Sequence, residues 1–227
     1  MIELVLVRHA QPAWSRGGRA QADPGLTAQG RKQAALLANR LVGEQFDEVL
    51  VSTARRAQET AGRILAGVTY EQLEHRSWLH EIMMPRSWDD TPAEEVGRTL
   101  RDARNRSRDD WWDGMPGGES FRDFHARVTI GLRNELAERR ITRRDDGLWG
   151  VPDDKPYRAL IVAHAGTNSV ILGALLGLEP EPWEWERFAS THASLTRLST
   201  TEIADSWIFR LDTFSDTAHL SNDLVTM

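Results

Sequence analysis

Ile2-Glu3-Leu4-Val5-Leu6-Val7-Arg8-His9-Ala10-Gln11 decides the fold, because an apolar run stops abruptly at a cation and an imidazole. The run is rich in β-branched residues and too short for a membrane span. It reads as a strand covered on both faces, the kind a parallel sheet contains. Open α/β sheets hold their ligands beyond the carboxyl ends of such strands, which is where Arg8 and His9 fall. Ala159-Leu160-Ile161-Val162-Ala163-His164-Ala165-Gly166 repeats the arrangement, and Val49-Leu50-Val51-Ser52-Thr53-Ala54-Arg55-Arg56 is a third apolar run ending in cations. Any one of these is compatible with an ordinary strand and turn. Together they bring two imidazoles and several guanidiniums to one rim, which suits an anion such as phosphate.

The bounds agree with one compact domain. A length of 227 residues supports one substantial core, so residues 1–227 are expected to form a single domain. A formal net charge of −6 favours neither nucleic acid nor an anionic membrane as a partner. The chain has no cysteine, which excludes disulfides and thiolate catalysis. No apolar run approaches the length of a membrane helix, and a cytoplasmic location is expected; the oligomeric state stays open, a homodimer included. Nine Trp stand against two Tyr. They read either as core packing or, for Trp14, Trp88, Trp111 and Trp112, as an apolar wall beside the site.

Outward from the three runs, residues 11–25 read as loop. Thr27 then caps a helix marked by Ala34, Leu37, Ala38 and Leu41, and Gly43 ends it. A strand over 46–52 leads into a helix over 54–65, whose first turn carries Arg55 and Arg56 where free amides and the helix dipole favour an anion. A poorly marked strand is expected within 68–80. Residues 83–118, with one helix over about 92–105 between two Trp-rich turns, read as a cap insertion over the site. Its many charges are equally compatible with a solvated helix face. Ser120 opens a long helix with Phe121, Phe124, Val128, Leu132 and Leu136 as its buried stripe. Residues 139–157 are expected to be a surface loop and the tail from Asp212 to be loose, with strands near 194–198 and 207–211.

In order along the chain, Arg8-His9-Ala10, Leu26-Thr27-Ala28-Gln29-Gly30, Ser52 with Arg56-Ala57 and Thr60-Ala61, Leu79-His80-Glu81, Gly117-Gly118-Glu119-Ser120 and His164 resemble the blocks of the histidine phosphatase superfamily, also called phosphoglycerate mutase-like. The resemblance covers roughly residues 2–198. It implies a three-layer α/β/α sandwich with a mostly parallel central sheet and a small cap insertion. It also implies a phosphomonoester hydrolase acting on a small phosphorylated substrate, with no cofactor and no metal. It assigns His9 as nucleophile and Glu81 as proton donor, with phosphate held by Arg8, Arg56 and His164. Gln11, Ser15 and Ala165 are candidates for further phosphate or substrate contacts. Ala10 and Ala165 stand where the family usually has glycine, Ser15 replaces an Asn, and Met83-Met84-Pro85-Arg86 replaces the usual continuation after Glu81.

Imidazole is a competent nucleophile toward phosphorus, and cationic positioning supplies most of what phosphoryl transfer needs. Two alternatives stay open at this level: a mutase moving phosphate between hydroxyls of phosphoglycerate, and a phospholigand-binding protein without turnover. A two-histidine metal site at His9 and His164 is disfavoured by the lack of Asp or Glu at the surrounding strand ends and by Arg neighbours that would repel a cation.

Overall fold

The computed structural model describes residues 1–152 and 156–227. The Asp153-Asp154-Lys155 part of the expected surface loop lies outside the described residues. The chain opens with β1 (Ile2–Arg8), a small hairpin of β2 (Ser15–Arg16) and β3 (Arg19–Ala20), then α1 (Ala28–Leu41), β4 (Gln45–Ser52), α2 (Arg55–Ile64) and β5 (Thr69–Arg76). The segment expected to be a cap carries α3 (Ala93–Ala103) and α4 (Arg108–Trp112), and α5 (Phe121–Ala137) follows. Two short strands, β6 (Thr142–Arg143) and β7 (Trp149–Gly150), precede β8 (Tyr157–Ala163), α6 (Ala165–Leu176), α7 (Glu184–Arg187), β9 (Leu195–Ile203) and β10 (Ser206–Asp216).

Eight strands form one sheet in the order β5-β4-β8-β1-β9-β10-β7-β6. β5, β4, β8 and β1 pair in parallel. β9 runs antiparallel to β1, and β10 antiparallel to β9, which restores the sense of β1. All strands except β9 and β7 therefore run the same way, giving the mostly parallel sheet that the sequence implies.

The continuous apolar run of β1 has a direct cause. Alternate side chains of a strand point to opposite faces, so Leu4 and Leu6 pack with Phe121, Phe124 and Leu132 of α5, while Val5 and Val7 pack with Leu37 of α1 and Ile64 of α2. Both faces are covered, and each fully buried aliphatic side chain contributes about 1.5–3 kcal/mol. The register that pairs Arg8 with Ala163 brings the ends of β1 and β8 level, so His9 and His164 emerge side by side.

Four expectations need correction. The stretch read as loop at 139–157 carries β6 and β7, and Trp149 is buried against Phe209 at 5.1 Å between ring centroids, because β10 offers it an edge to pair with. The tail from Asp212 is not loose: β10 continues to Asp216, Leu220 is buried, and the Leu224 carbonyl and Thr226 hydroxyl accept hydrogen bonds from the Gln33 amide. The second Trp-rich turn of the cap is the helix α4, closed by a capping box between Ser107 and Asp110. Residues 11–25 include the β2–β3 hairpin, which docks on the cap through Ala20 N–H to the Thr91 carbonyl and Ala93 N–H to the Gly18 carbonyl. Among the described residues no helix is long and apolar enough to cross a membrane.

Candidate active site

His9 follows β1 directly and is 3 % exposed. Its Nδ1 lies 2.8 Å from the Ala10 carbonyl oxygen. A carbonyl only accepts, so Nδ1 carries the proton and Nε2 keeps its lone pair. The backbone thus selects the tautomer whose outer nitrogen is nucleophilic. Burial first, then the positive charges of Arg56 and Arg8, hold the His9 imidazole well below its usual range, which keeps it neutral at pH 7.

His164 is fully buried at the N-cap of α6, with its ring centroid 5.0 Å from that of His9 in an edge-on arrangement. Its Nε2 lies 2.8 Å from Ser52 Oγ at the end of β4. Arg56, 2 % exposed, enters from the first turn of α2 beneath the Trp14 ring, 4.7 Å from its centroid. Arg8 donates to the Ser190 carbonyl and to His192 Nε2 at 3.0 Å. Burial draws the Arg8 guanidinium down to about 10, with the Glu81 charge opposing the shift, and it remains charged at neutral pH.

Glu81 faces these groups from the segment after Leu79. Its two oxygens accept from Ile82 N–H at 3.1 Å and from Gly166 N–H at 2.9 Å, the second at the start of α6. A Cβ on Gly166 would meet Glu81 Oε1 at 2.4 Å, so a glycine there is what lets the carboxylate approach the helix. Ala165 lines the same cavity beside Glu81. Four buried nitrogens, Arg8 Nε, Arg56 Nε and Nη1 and His164 Nδ1, have no hydrogen-bond partner among the described residues. Unpartnered buried guanidinium donors are costly and suit an anion, although Arg56 Nη1 also lies 3.6 Å from an Asp23 carboxylate oxygen.

The structure therefore brings Arg8, His9, Arg56, Glu81 and His164 together. Gln11 and Ser15 lie apart from Glu81, lining with Trp14 and His192 a second cavity that also opens on Arg8. Gln11 is engaged with the N-cap of α1, its Oε1 accepting from Thr27 Oγ1 at 2.6 Å. Of the tryptophans read as a wall, Trp14 and Trp111 line these cavities, whereas Trp112 packs on Phe121 at 5.3 Å.

Residues 4–210 match the model of the histidine phosphatase superfamily, branch 1. The chain belongs to that family. A probable phosphoglycerate mutase from Yersinia enterocolitica is 29% identical over 97% of this chain and 95% of its own length. A glucosyl-3-phosphoglycerate phosphatase from Mycolicibacterium vanbaalenii is 30% identical over 98% of each. The solved structure of a mycobacterial glucosyl-3-phosphoglycerate phosphatase complexed with VO3 superposes with a TM-score of 0.68 at 27% identity, covering 95% of this chain and 99% of that one.

One residue of this histidine phosphatase site escaped the sequence reading. His192, 4 % exposed, lies 5.6 Å from the His9 ring and accepts from Arg8 through Nε2, which leaves Nδ1 to donate to Thr226 Oγ1 at 2.9 Å. Burial and the Arg8 charge push its pKa down to about 3, so it stays a neutral acceptor. No local pattern announces it, since it stands in a connection between α7 and β9.

Proposed function

We propose that the chain hydrolyses phosphomonoesters through a phosphohistidine formed on His9. The observation that carries this reading is the His9 tautomer: Nδ1 is tied to the Ala10 carbonyl and Nε2 is free inside a ring of Arg8, Arg56 and His164. The guanidiniums and His164 receive the non-bridging phosphate oxygens, and a bound dianion supplies the negative charge that lets His164 take up a proton. His9 Nε2 attacks phosphorus, the P–O ester bond breaks, and Glu81 gives its proton to the departing oxygen. Water then attacks the phosphohistidine while Glu81 takes the proton back, and the P–N bond breaks to release inorganic phosphate.

The test is acid- and base-quenched protein after brief exposure to labelled phosphate ester. Acid-labile, base-stable label is expected on the parent and absent from His9→Ala, whose turnover falls by several orders of magnitude. Near-normal turnover in His9→Ala would sink the assignment. Running 3-phosphoglycerate with 2,3-bisphosphoglycerate in parallel separates hydrolysis from the mutase activity that some relatives' names carry.

A further inference from the structure

The cavity running from Glu81 toward the cap encloses about 640 Å³, room for a leaving group far larger than a glycerate. Its walls include the thioethers of Met83, Met84 and Met115, the Leu100 side chain, and the indoles of Trp111 and Trp185, whose centroids lie 6.0 Å apart. The charged groups at its rim each have a hydrogen-bond or ion-pair partner within the protein. Arg104 pairs with Glu186. Glu119 binds Arg127 through both oxygens, at 2.8 and 2.7 Å, and also accepts from Met83 N–H. Arg106 donates to the Asp110 carbonyl and to the Met115 sulfur. Beyond Arg8 and Glu81, which belong to the phosphate end, this lining holds no carboxylate or guanidinium without an internal partner among the described residues.

The lining's own polar groups include the unpartnered Ser190 hydroxyl and the guanidiniums of Arg104 and Arg106. Against the thioethers, Leu100 and the indoles, which make up most of the wall, a hydroxyl or carboxylate loses water and gains no partner, which disfavours polyols and hydroxy acids there. An aromatic or branched alkyl body loses nothing by the same transfer. Unbranched thioethers reshape around varied apolar outlines, so the selection is for bulk and apolarity rather than for one shape.

We propose that this pocket selects phosphomonoesters whose leaving group is a bulky apolar alcohol or a phenol. The ester oxygen lies at Glu81 and the apolar body between the Trp111–Trp185 pair and the methionines. This inference rests on the phosphatase reading for its chemistry, yet binding tests it separately.

Calorimetric titration of the full chain with methylphosphonate and 1-naphthylphosphonate, neither of which is hydrolysed, reads the pocket directly. The naphthyl compound is expected to bind on the order of 100-fold tighter, from the apolar area it buries. Leu100→Asp, at a position 41% exposed on α3, should remove most of that gain and leave methylphosphonate unaffected; Met84→Asp repeats the test from the other wall. In parallel, kcat/KM for 1-naphthyl phosphate should exceed that for glycerol 3-phosphate and 3-phosphoglycerate. Equal phosphonate affinities, or a preference for the polar esters, would overturn the pocket assignment with the phosphatase reading intact. Preferential naphthylphosphonate binding without hydrolysis of any ester would uphold the pocket and reject the phosphatase reading.

Discussion

Glu81 is fixed at both oxygens by backbone amides, Ile82 and Gly166, and its charge is felt by Arg8 and Arg56 alike. That placement fits a proton donor, and it also fits a simple ion-pair partner; the two differ in what they demand of the leaving group. A donor matters when the departing oxygen is basic, so Glu81→Gln should slow phosphoenzyme formation from alkyl phosphates by roughly 10² to 10⁴ and spare aryl phosphates with acidic phenols. Rapid-quench measurement across esters of graded leaving-group pKa gives the answer. A steeper dependence in the variant supports donation, whereas parallel dependences leave Glu81 as a partner of the arginines. At this scale the sequence is informative wherever a functional side chain ends an apolar run, as Arg8, His9 and His164 do. It is silent on His192, because that residue's contacts lie 184 positions away at Arg8 and 34 away at Thr226.

The N-terminus of α6 is where element geometry and chemistry meet. Gly166 gives its N–H to Glu81 and leaves no room for a methyl group beside the carboxylate. Gly166→Ala should therefore push the Glu81 side chain away with little change in thermal stability, since a carboxylate end moves more easily than backbone. Its kinetic signature should match that of Glu81→Gln, slow on alkyl esters and near normal on aryl ones; a uniform loss on all substrates would show that the helix itself had shifted. Gly30 has a comparable role against harder neighbours, a Cβ there meeting the Gln11 carbonyl at 2.2 Å, which gives the Leu26-Thr27-Ala28-Gln29-Gly30 block a physical reason. Elements with their own periodicity and caps were legible in advance: β1, β4, α1 with Thr27 as N-cap, α2, α5 and the strand before His164. Those that form only because a neighbour offers an edge were not. β6 and β7 exist by pairing outward from β10, whereas β5, whose eight residues are nearly all exposed and pair with β4 alone, is expected from the sequence as a poorly marked strand.

Across the whole molecule, the site imposes a pH dependence on folding. His9, His164 and His192 are all buried and neutral, with their pKa values lowered chiefly by burial, in the case of His192 to about 3. In the unfolded chain each titrates near 6.5, so below that pH the unfolded state binds more protons than the folded one and stability falls as pH falls. Holding one such imidazole neutral at pH 5 costs about 2 kcal/mol, and three together about 6 kcal/mol, a large share of the roughly 5–15 kcal/mol that holds a domain folded. Urea midpoints should therefore drop steeply between pH 7 and pH 5. His192→Gln keeps an acceptor for Arg8 where Nε2 stood, together with an amide donor, and removes one titrating group, so its stability should lose about 2 kcal/mol less across the same interval. The comparison is internal to each protein, which makes any constant cost of the substitution cancel. Equal pH slopes in parent and His192→Gln would mean that His192 is protonated in the folded protein, and that Arg8 is not held by a neutral imidazole.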